Sequence, residues 1–466
     1  ATVARLTVHS PSPTKMHKAK AELFVCGYVR SEEAALKLYI PQQISKLVLE
    51  FYPTKYKVYG TGDHVCGQFG LGNTKNLSDY TKLEQLSNLI DHPYDISTGW
   101  YRNIIQNIND KSCSLYSVGN NNHNQCGLRS FNQMADNVQT LTEMHGISQE
   151  KNGVKCISSG SFSNHSLFVY EDGDSDNNST ASTILGYGCN KAYQFGIPPA
   201  NNNKPPILIN YNNPSLINKN IAKIACGNSY SLILTEDGKI FSMGQNEKGQ
   251  CGLSISENSS IIQKPTMIKI PNLQEDDIII DIKCGATHSL ALTANKDLVG
   301  FGDNIYGQIS MEKESKFIDI PCVHKYFKSR DIKINRMVCG AANSLIIDNE
   351  NQCYIFGNNT FCQIGNGKKN QFKYQYIPHR VQSIDFMSNE LISDGSIGDF
   401  HVILLSKFNR NVFVFGSNSK NQCYKSEKDI IDYPYLLKSE QIGIQKNDKV
   451  CRVIAGAGYS MLVVEE

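Results

Sequence analysis

The sequence has no long hydrophobic run, which limits the kinds of protein it can encode. No stretch approaches the roughly 20 apolar residues that a helix needs to span a bilayer. Residues 1–20 also lack the apolar centre of a secretory signal. We therefore expect no membrane segment and a protein of the nucleus or cytoplasm. The 40% apolar and 19% charged residues, with 35 glycines, are typical of a globular chain rich in turns.

An excess of charge of one sign is missing as well. The formal net charge is +2, so the chain has no overall field that would gather nucleic acid. Only the first 20 residues carry basic side chains without an acidic one: Arg5, Lys15, Lys18 and Lys20. We interpret residues 1–20 as a flexible, mildly basic tail, and we expect any contact with nucleic acid or chromatin to be made through this tail.

The 15 cysteines are an odd number, and they lack the paired spacing of a disulfide framework or a CxxC zinc site. This pattern favours a reducing compartment. Six of them recur at two positions, before a glycine or after a glutamine: Cys226, Cys284, Cys339, Cys126, Cys251 and Cys423. A cysteine that recurs in this way is expected to be a small, buried apolar residue.

Motifs for catalysis are also missing. The chain contains no glycine-rich phosphate loop with its lysine and serine or threonine, no cluster of zinc ligands and no nucleophile elbow. We therefore expect no cofactor, no metal ion and no bond-breaking chemistry of its own.

One phrase recurs seven times along the chain. It consists of a glycine, four residues, often a second glycine, then a glutamine, one residue and a closing glycine, and we call it the glutamine phrase. Its copies occupy residues 62–70, 119–127, 188–196, 244–252, 302–310, 357–365 and 416–424. The first glycines of successive copies lie 55 to 69 residues apart, a period that suits one small antiparallel sheet per repeat.

A second phrase, strand–glycine turn–strand, precedes most copies. It is seen around Gly227, Gly285, Gly340 and Gly456, and it is followed by a third apolar strand. The first glutamine phrase has no such strand pair before it, and the last pair, at residues 449–464, has no glutamine phrase after it. The sequence thus predicts an all-β, closed seven-bladed propeller over residues 56–466, with four-stranded antiparallel blades and a ring closed by strands from both termini.

The repeated glutamine and glycine residues are expected to be structural. A glutamine such as Gln250 or Gln308 can satisfy a backbone donor and acceptor, and we expect it to bond the backbone of a neighbouring segment. The glycines suit tight turns and close backbone approach.

Segments such as CGATHSLALT, LVGFGDNIYGQIS and CGNSYSLILTEDGKIFSMGQNEKGQCG resemble the repeat of the regulator-of-chromosome-condensation family, over roughly residues 56–466. The resemblance implies the propeller fold and, for the best-known members, nucleotide exchange on a Ran-type small GTPase. Those members carry acidic and histidine residues after the glycine of the strand–turn–strand phrase. The corresponding positions here read Ser161, Ser229 and Ala342 or Asn343, and the family's wedge insertion in the third blade is missing.

Four other residues occupy comparable turns and are the candidates for a binding face: Asp63, His288, Asp399 and His401. Asp63 corresponds approximately to another acidic position of the family. The hypothesis that requires no specific chemistry from these residues is a monomeric protein-binding platform. The alternatives are a guanine-nucleotide exchange factor for a Ran-type GTPase and, from the N-terminal segment described below, a ubiquitin-ligase adaptor.

Two segments depart from the repeat. Residues 171–183 form an acidic insertion in the third blade, expected to be a protruding hairpin loop. Its alternating aspartates do not predict a calcium site, because Asn177 and Thr183 replace the glycine and glutamate of a calcium loop. Residues 21–55 are expected to form an N-terminal extension with two short helices that packs on the propeller. Within it, IPQQISKLVLEFY faintly resembles the opening helix of an F-box, the origin of the adaptor hypothesis.

Overall fold

The two ends of the described chain meet in one antiparallel sheet. Strand β1 (Tyr56–Gly62) pairs along its whole length with β28 (Tyr459–Glu465), from Tyr56 opposite Glu465 to Gly62 opposite Tyr459. β2 (Leu77–Lys82) and β27 (Lys449–Ala455) complete this sheet as its outer and inner strands. The predicted closure by strands from both termini is therefore confirmed.

The structure is a computed structural model, and it describes residues 55–466 apart from a set of short gaps. The gaps are residues 91–95, 110–111, 128–136, 145–153, 161–162, 172–181, 200–206, 210–212, 218, 257–259, 310–314, 368–372, 382–389 and 446. The segments predicted to form the basic tail and the two N-terminal helices, including the F-box-like sequence, lie outside the described residues. Residue Ser161 lies outside them too.

The closing sheet is blade 1, and six further sheets each use four consecutive strands. From the inner to the outer strand, blade 2 comprises β3 (Ile96–Thr98), β4 (Arg102–Asn109), β5 (Ser112–Gly119) and β6 (Val138–Glu143); blade 3 comprises β7 (Val154–Ser158), β8 (His165–Glu171), β9 (Ser182–Gly188) and β10 (Ile207–Leu208); blade 4 comprises β11 (Ile221–Cys226), β12 (Tyr230–Thr235), β13 (Ile240–Gln245) and β14 (Ile261–Met267).

Blade 5 comprises β15 (Ile279–Cys284), β16 (His288–Thr293), β17 (Leu298–Asp303) and β18 (Phe317–Val323); blade 6 comprises β19 (Ile334–Cys339), β20 (Asn343–Asp348), β21 (Cys353–Asn358) and β22 (Tyr374–Arg380); blade 7 comprises β23 (Ile392–Ile397), β24 (His401–Ser406), β25 (Val412–Ser417) and β26 (Ile430–Leu437). Short helices α1 (Glu84–Ser87), α2 (Lys325–Lys328) and α3 (Ser439–Ile442) follow the outer strands of blades 1, 5 and 7. The described residues therefore form seven four-stranded blades, as predicted.

The core lies between adjacent blades rather than inside one sheet. Each blade is covered on both faces by its neighbours, so its middle strands are apolar runs rather than alternating patterns. In blade 7, every residue of β24 and β25 is buried. The outer strands face solvent on one edge, and β14 accordingly mixes buried and exposed residues.

The strand order places the recurring turns on two faces. The strand 1–2 turns and the glutamine phrases between strands 3 and 4 share one face, which we call the glutamine face. The strand 2–3 turns and the connections between blades share the opposite face. In blade 3 the paired strands β8 and β9 end there, with Glu171 opposite Ser182. Residues 172–181 themselves lie outside the described part of the chain.

A central channel of about 760 Å³ is lined by the inner strand of every blade. Ion pairs join neighbouring inner strands along the wall of this channel. Lys223 of blade 4 lies 2.8 Å from Asp281 of blade 5, and Arg336 of blade 6 lies 2.7 Å from Asp394 of blade 7. The Arg452 guanidinium of blade 1 donates to the Ile96 carbonyl of blade 2 at 3.1 Å. Charges of opposite sign thus join successive blades, because these residues occupy the same repeat position.

The glutamine side chain acts within its own turn. The Gln250 Oε1 atom accepts a hydrogen bond from the Lys248 amide at 2.8 Å, and Gln308 Oε1 accepts one from the Tyr306 amide at 2.9 Å. We predicted a bond to a neighbouring segment. It is the backbone carbonyl of the glutamine that reaches the next blade, where Ser289 Oγ donates to the Gln250 carbonyl at 2.9 Å. The tight turn brings the side-chain oxygen next to the backbone amide two residues before it, and that amide is therefore its partner.

Hydrogen-bonded contacts between blades, which we call latches, involve a serine four residues after the turn glycine. The serine donates its only proton to the glutamine carbonyl of the preceding blade, so it must accept from the preceding blade's histidine Nε2. Three seams have this arrangement: His165 with Ser231 at 2.8 Å, His288 with Ser344 at 3.1 Å, and His401 with Ser460 at 2.9 Å. The neutral Nε2–H tautomer follows for each of these imidazoles.

Other residues fill the same position at three further seams. The pairs are Tyr230 with Ser289 at 3.0 Å, Tyr459 with Asn103 at 3.0 Å and Arg102 with Ser166 at 2.8 Å. Between blades 6 and 7 the pattern changes, because Val402 replaces the serine and Asn343 donates to the Asn358 carbonyl of its own blade at 2.6 Å. This seam is packed by apolar side chains instead.

The recurring cysteines are packing residues, as predicted. Cys126, Cys251 and Cys423 are fully buried, and Cys226 and Cys339 are nearly so. Cys284 is only partly buried, and none of the described cysteines forms a disulfide.

Candidate protein-binding surface

The structure separates the four candidate residues into two pairs. Asp63 and Asp399 lie in turns at the glutamine face, whereas His288 and His401 are the first residues of β16 and β24 and have no exposed surface. Burial lowers the pKa of His288 to about 3 and that of His401 to about 4, so both imidazoles are neutral. These histidines belong to the latches and cannot contact a partner directly, which corrects their assignment to a binding face.

Asp63 serves its own turn. Its side chain is 5% exposed, and its Oδ1 atom accepts a hydrogen bond from the Val65 amide at 3.1 Å. The equivalent Asp303 in blade 5 accepts from the Ile305 amide at 3.0 Å in the same way. An acid or amide at this repeat position therefore caps the glutamine turn, whatever else it does.

Asp399 has no such local partner. Its backbone amide donates to the Ala457 carbonyl at 3.3 Å, which joins the strand 1–2 turns of blades 7 and 1. Its Oδ1 atom is buried and has no hydrogen-bond partner within the described residues. Burial raises the pKa of the carboxyl group to about 8, although a hydrogen bond from the Trp100 side chain acts in the opposite direction.

Two aromatic side chains of blade 2 lie near this carboxyl group. The rings of Trp100 and Tyr101, in the strand 1–2 turn of blade 2, have centroids 5.3 Å apart. Burial raises the pKa of Tyr101 to about 12, and the nearby charges of Asp63 and Asp399 add to that shift. We call Trp100, Tyr101, Asp399, Phe400 and Phe361 the aromatic sector of the glutamine face.

Phe400 is the exposed member of the aromatic sector. It is 38% exposed, and its ring lies 4.8 Å from the ring of Phe361 in the glutamine phrase of blade 6. Val65 of blade 1, 47% exposed, adds apolar surface on the same face. Aromatic rings held by packing from below and open above are typical of the centre of a protein interface.

Sequence reasoning missed the aromatic members of this sector. Their position in the repeat could have identified two of them, because Trp100 and Tyr101 follow Gly99 as Asp399 and Phe400 follow Gly398. The short β3 strand before Gly99 hides the strand–turn–strand phrase of blade 2.

Two of the turns where the family carries an acid or a histidine contain neither here. Ser229 is half-buried, and its backbone carbonyl accepts from the Gln245 amide at 2.9 Å. The Ala342 carbonyl accepts from the Asn358 amide at 3.0 Å, and Asn343 is fully buried. These turns hold the fold together through backbone contacts.

The opposite face has a different chemistry. Its strand 2–3 turns carry charged side chains, such as Asp237 and Lys239, which are 2.8 Å apart in blade 4. No group of three or more His, Cys, Asp or Glu side chains that could hold a metal ion is present among the described residues. No helix in that part of the chain is long and apolar enough to cross a membrane.

A seven-bladed ring closed by both chain ends, with recurring glycine and glutamine turns, defines the class of this protein as a propeller of the chromosome-condensation-regulator type. Family models described as "Regulator of chromosome condensation (RCC1) repeat" match residues 237–292 and, in a second version, residues 221–250 and 279–308. Residues 221–308 of the chain therefore carry RCC1 repeats.

Curated relatives are similar to about half of the chain. Human protein RCC2 is 28% identical over 228 residues, which are 45% of this chain and 42% of RCC2. An RCC1 domain-containing protein of Dictyostelium discoideum is 30% identical over 311 residues, covering 55% of this chain and 58% of that protein. The chain thus spans about half the length of the curated relatives it matches.

The crystal structure of Prp20p from Saccharomyces cerevisiae, described with its binding to Gsp1p and histones, has a TM-score of 0.68 to this chain. The two are 18% identical, and the match covers 88% of this chain and 91% of Prp20p. This likeness shows the shared fold.

Proposed function

We propose that this protein is a protein-binding platform that holds its partner on the aromatic sector of the glutamine face. The observation that carries the proposal is the exposed Phe400 ring beside the Asp399 carboxyl group, whose Oδ1 atom has no partner in the described chain. A rigid aromatic anchor gives much binding energy at a small cost in conformational entropy. The latch between His401 and Ser460 fixes the strand that begins directly after Phe400.

Affinity capture followed by mass spectrometry tests the platform, and blade 7 supplies a matched control. Phe400 lies on the glutamine face, while Phe408, 73% exposed, lies in the strand 2–3 turn on the opposite face. Phe400→Ser should lose the proteins that the wild-type ring captures from its host's lysate. Phe408→Ser should keep them, since it removes an equally apolar side chain from the other face. Loss with Phe408→Ser and retention with Phe400→Ser would reject the proposed surface.

The alternative of nucleotide exchange on a Ran-type small GTPase draws support from the family and from Asp63 and Asp399 on one face. Exchange factors act by binding the nucleotide-free GTPase more tightly than the loaded form. We expect weak or absent exchange, because Ser229, Ala342 and Asn343 replace the groups that the family uses. Release of a fluorescent guanine nucleotide from the host's own GTPase is the assay. A hundredfold acceleration that is lost in Asp63→Ala would rank exchange first.

The ubiquitin-ligase adaptor hypothesis depends on residues outside the described chain and stays a prediction. Leu47→Asp should lower stability if that segment packs on the propeller. Unchanged stability with loss of ubiquitin-ligase components would favour the adaptor instead. We also expect a monomer acting in the nucleus or cytoplasm, which light scattering and fluorescence microscopy can check.

A further inference from the structure

We propose that the aromatic sector receives a cationic side chain, lysine or arginine, of the protein partner, with the Asp399 carboxylate as its counter-ion. This inference rests on the proposed function, because it names the chemistry of the partner at the same surface. Three features of the site support it: a carboxyl group without a charge partner, aromatic rings on its flanks, and an exposed ring that can hold an aliphatic stem.

The carboxyl group lacks a compensating charge. None of the ion pairs among the described residues includes Asp399 or Asp63. The buried Arg102 directs its guanidinium away, to the Ser163 and His165 carbonyls of blade 3 at 2.7 and 2.6 Å. An ionised Asp399 would therefore carry an unbalanced charge in a partly dry site, a costly state that a partner's cation would relieve.

The aromatic rings favour the same ligand. A cation within about 6 Å of an indole or phenol face is attracted by the ring quadrupole, and the attraction grows when the site is desolvated. Trp100 donates its side-chain hydrogen bond to Asp399, so the indole and the carboxylate border one site. Lysine and arginine stems also pack on apolar surface, and the exposed Phe400 ring next to Asp399 provides it.

Binding of such a cation is linked to proton release. The carboxyl group is mostly protonated below pH 8, since burial raises its pKa to about 8, and a cation requires the ionised form. The other titratable groups around the site are Asp63, Tyr101, Tyr459 and Cys66. Burial raises the pKa of Tyr101, Tyr459 and Cys66, so these three lose protons only at higher pH. Affinity should therefore rise as the pH rises from 6 to 9.

The chain contains a reporter for this site, because Trp100 is its single tryptophan. Without ligand, the tryptophan emission of the full chain should change in one step near pH 8, and Asp399→Asn should abolish that step. N-acetylated triarginine and trilysine amides, added at constant ionic strength, should change the emission saturably at pH 9 and bind up to about 100-fold more weakly at pH 6. The N-acetylated tricitrulline amide, which is uncharged, should not bind.

Glu247→Gln, which removes an acid from the glutamine phrase of blade 4, is the matched control and should bind like the wild type. The proposal is overturned if Asp399→Asn binds the cationic peptides as well as the wild type, or if their affinity is equal at pH 6 and pH 9. Folding of Asp399→Asn is checked by its melting temperature. If the cationic peptides do not bind but Phe400→Ser still loses the captured partner, the proposed cationic ligand is rejected. The proposed protein-binding surface is then still supported.

Discussion

The Nε2 atom of His401 lies 2.9 Å from the hydroxyl oxygen of Ser460, across the seam where blade 7 meets the blade closed by both chain ends. The Ser460 hydroxyl donates its own hydrogen bond to the Gln422 carbonyl at 2.6 Å. This one hydroxyl therefore joins both a strand and a glutamine turn of blade 7 to blade 1. A repeated polar contact thus fixes neighbouring blades in a core that is otherwise apolar. It also holds the turn that presents Asp399 and Phe400.

The worth of this latch can be measured by a double-mutant cycle. His401→Ala and Ser460→Ala should each lower the free energy of unfolding by about 2 kcal/mol or more, since each leaves a buried group unpaired or a cavity. The coupling between them should be about 1 kcal/mol, by urea denaturation. His401→Ala combined with Ser231→Ala, a serine of blade 4, is the control and should be additive. Additivity in the first cycle would show that the contact contributes nothing.

The seam between blades 6 and 7 offers the reverse test, because it lacks the latch. A Cβ atom on Gly340 would lie 2.4 Å from Ile397 Cγ2, so Ile397 fills the space that an imidazole occupies elsewhere. Asn343→His alone should therefore destabilise the ring by about 1–3 kcal/mol through overpacking.

Adding Ile397→Cys and Val402→Ser to that variant should make room for the imidazole and supply its partner. We expect the triple variant to regain most of the lost stability in urea denaturation. If the triple variant is no more stable than Asn343→His, the latch cannot be transferred and depends on more than these three positions.

Two features favour glycine at one position of the glutamine phrase: a positive φ angle and the close approach of the neighbouring blade's backbone. Gly249 has φ +74°, and a Cβ atom there would lie 2.4 Å from the Asp319 Cα atom of blade 5. Gly443 has φ +77°, yet a Cβ atom there would meet nothing within 4 Å. Alanine at Gly443 should cost about 1 kcal/mol, the strain alone, and alanine at Gly249 clearly more. Equal shifts in melting temperature would contradict the proposed contact between blades.

Acid should unfold this protein through its buried histidines. Burial lowers the pKa of His165 and His288 to about 3 and that of His64, His324 and His401 to about 4. The unfolded chain binds these protons near pH 6.5 and the folded chain does not. Stability is therefore full above about pH 6.5 and falls as the pH drops toward 4, by up to about 1.4 kcal/mol per pH unit for each histidine.

His324→Phe isolates one of these contributions. Neither ring nitrogen of His324 has a hydrogen-bond partner in the described chain, and its ring packs 4.8 Å from that of Phe327. The variant should be more stable, and its loss of stability between pH 6.5 and 5 should be shallower by about one proton, in urea titrations at several pH values. An unchanged slope would mean that this imidazole is already protonated in the fold.

Much of the fold could be predicted from the sequence because a local rule is repeated seven times. Each glutamine phrase requires the same turn, and the half-units at residues 56–62 and 449–464 can only complete each other. The direction of the glutamine side chain could not be predicted in this way. The Gln250 side chain accepts from the Lys248 amide of its own turn, whereas the Gln250 carbonyl accepts from Ser289 of the next blade, and the sequence pattern does not distinguish these two roles.

The candidate site was harder to predict, for a related reason. Asp399 and His401 stand two residues apart in one phrase, but the turn ends between them and the strand begins at His401. The first residue therefore faces the surface, and the second enters the seam between blades. Phe361 and Trp100 join Asp399 from other blades, a relationship that depends on how the blades close around the channel.

The most direct test of the binding surface is hydrogen exchange on the purified complex with the protein that the wild-type ring captures. We predict slower amide exchange, relative to the free protein, in the turns that carry Trp100 and Tyr101, Asp399 and Phe400, and Phe361. The strand 2–3 turns of the opposite face, at residues 236–239 and 407–411, should exchange at unchanged rates. Protection confined to those opposite-face turns, with none in the aromatic sector, would contradict the proposed function.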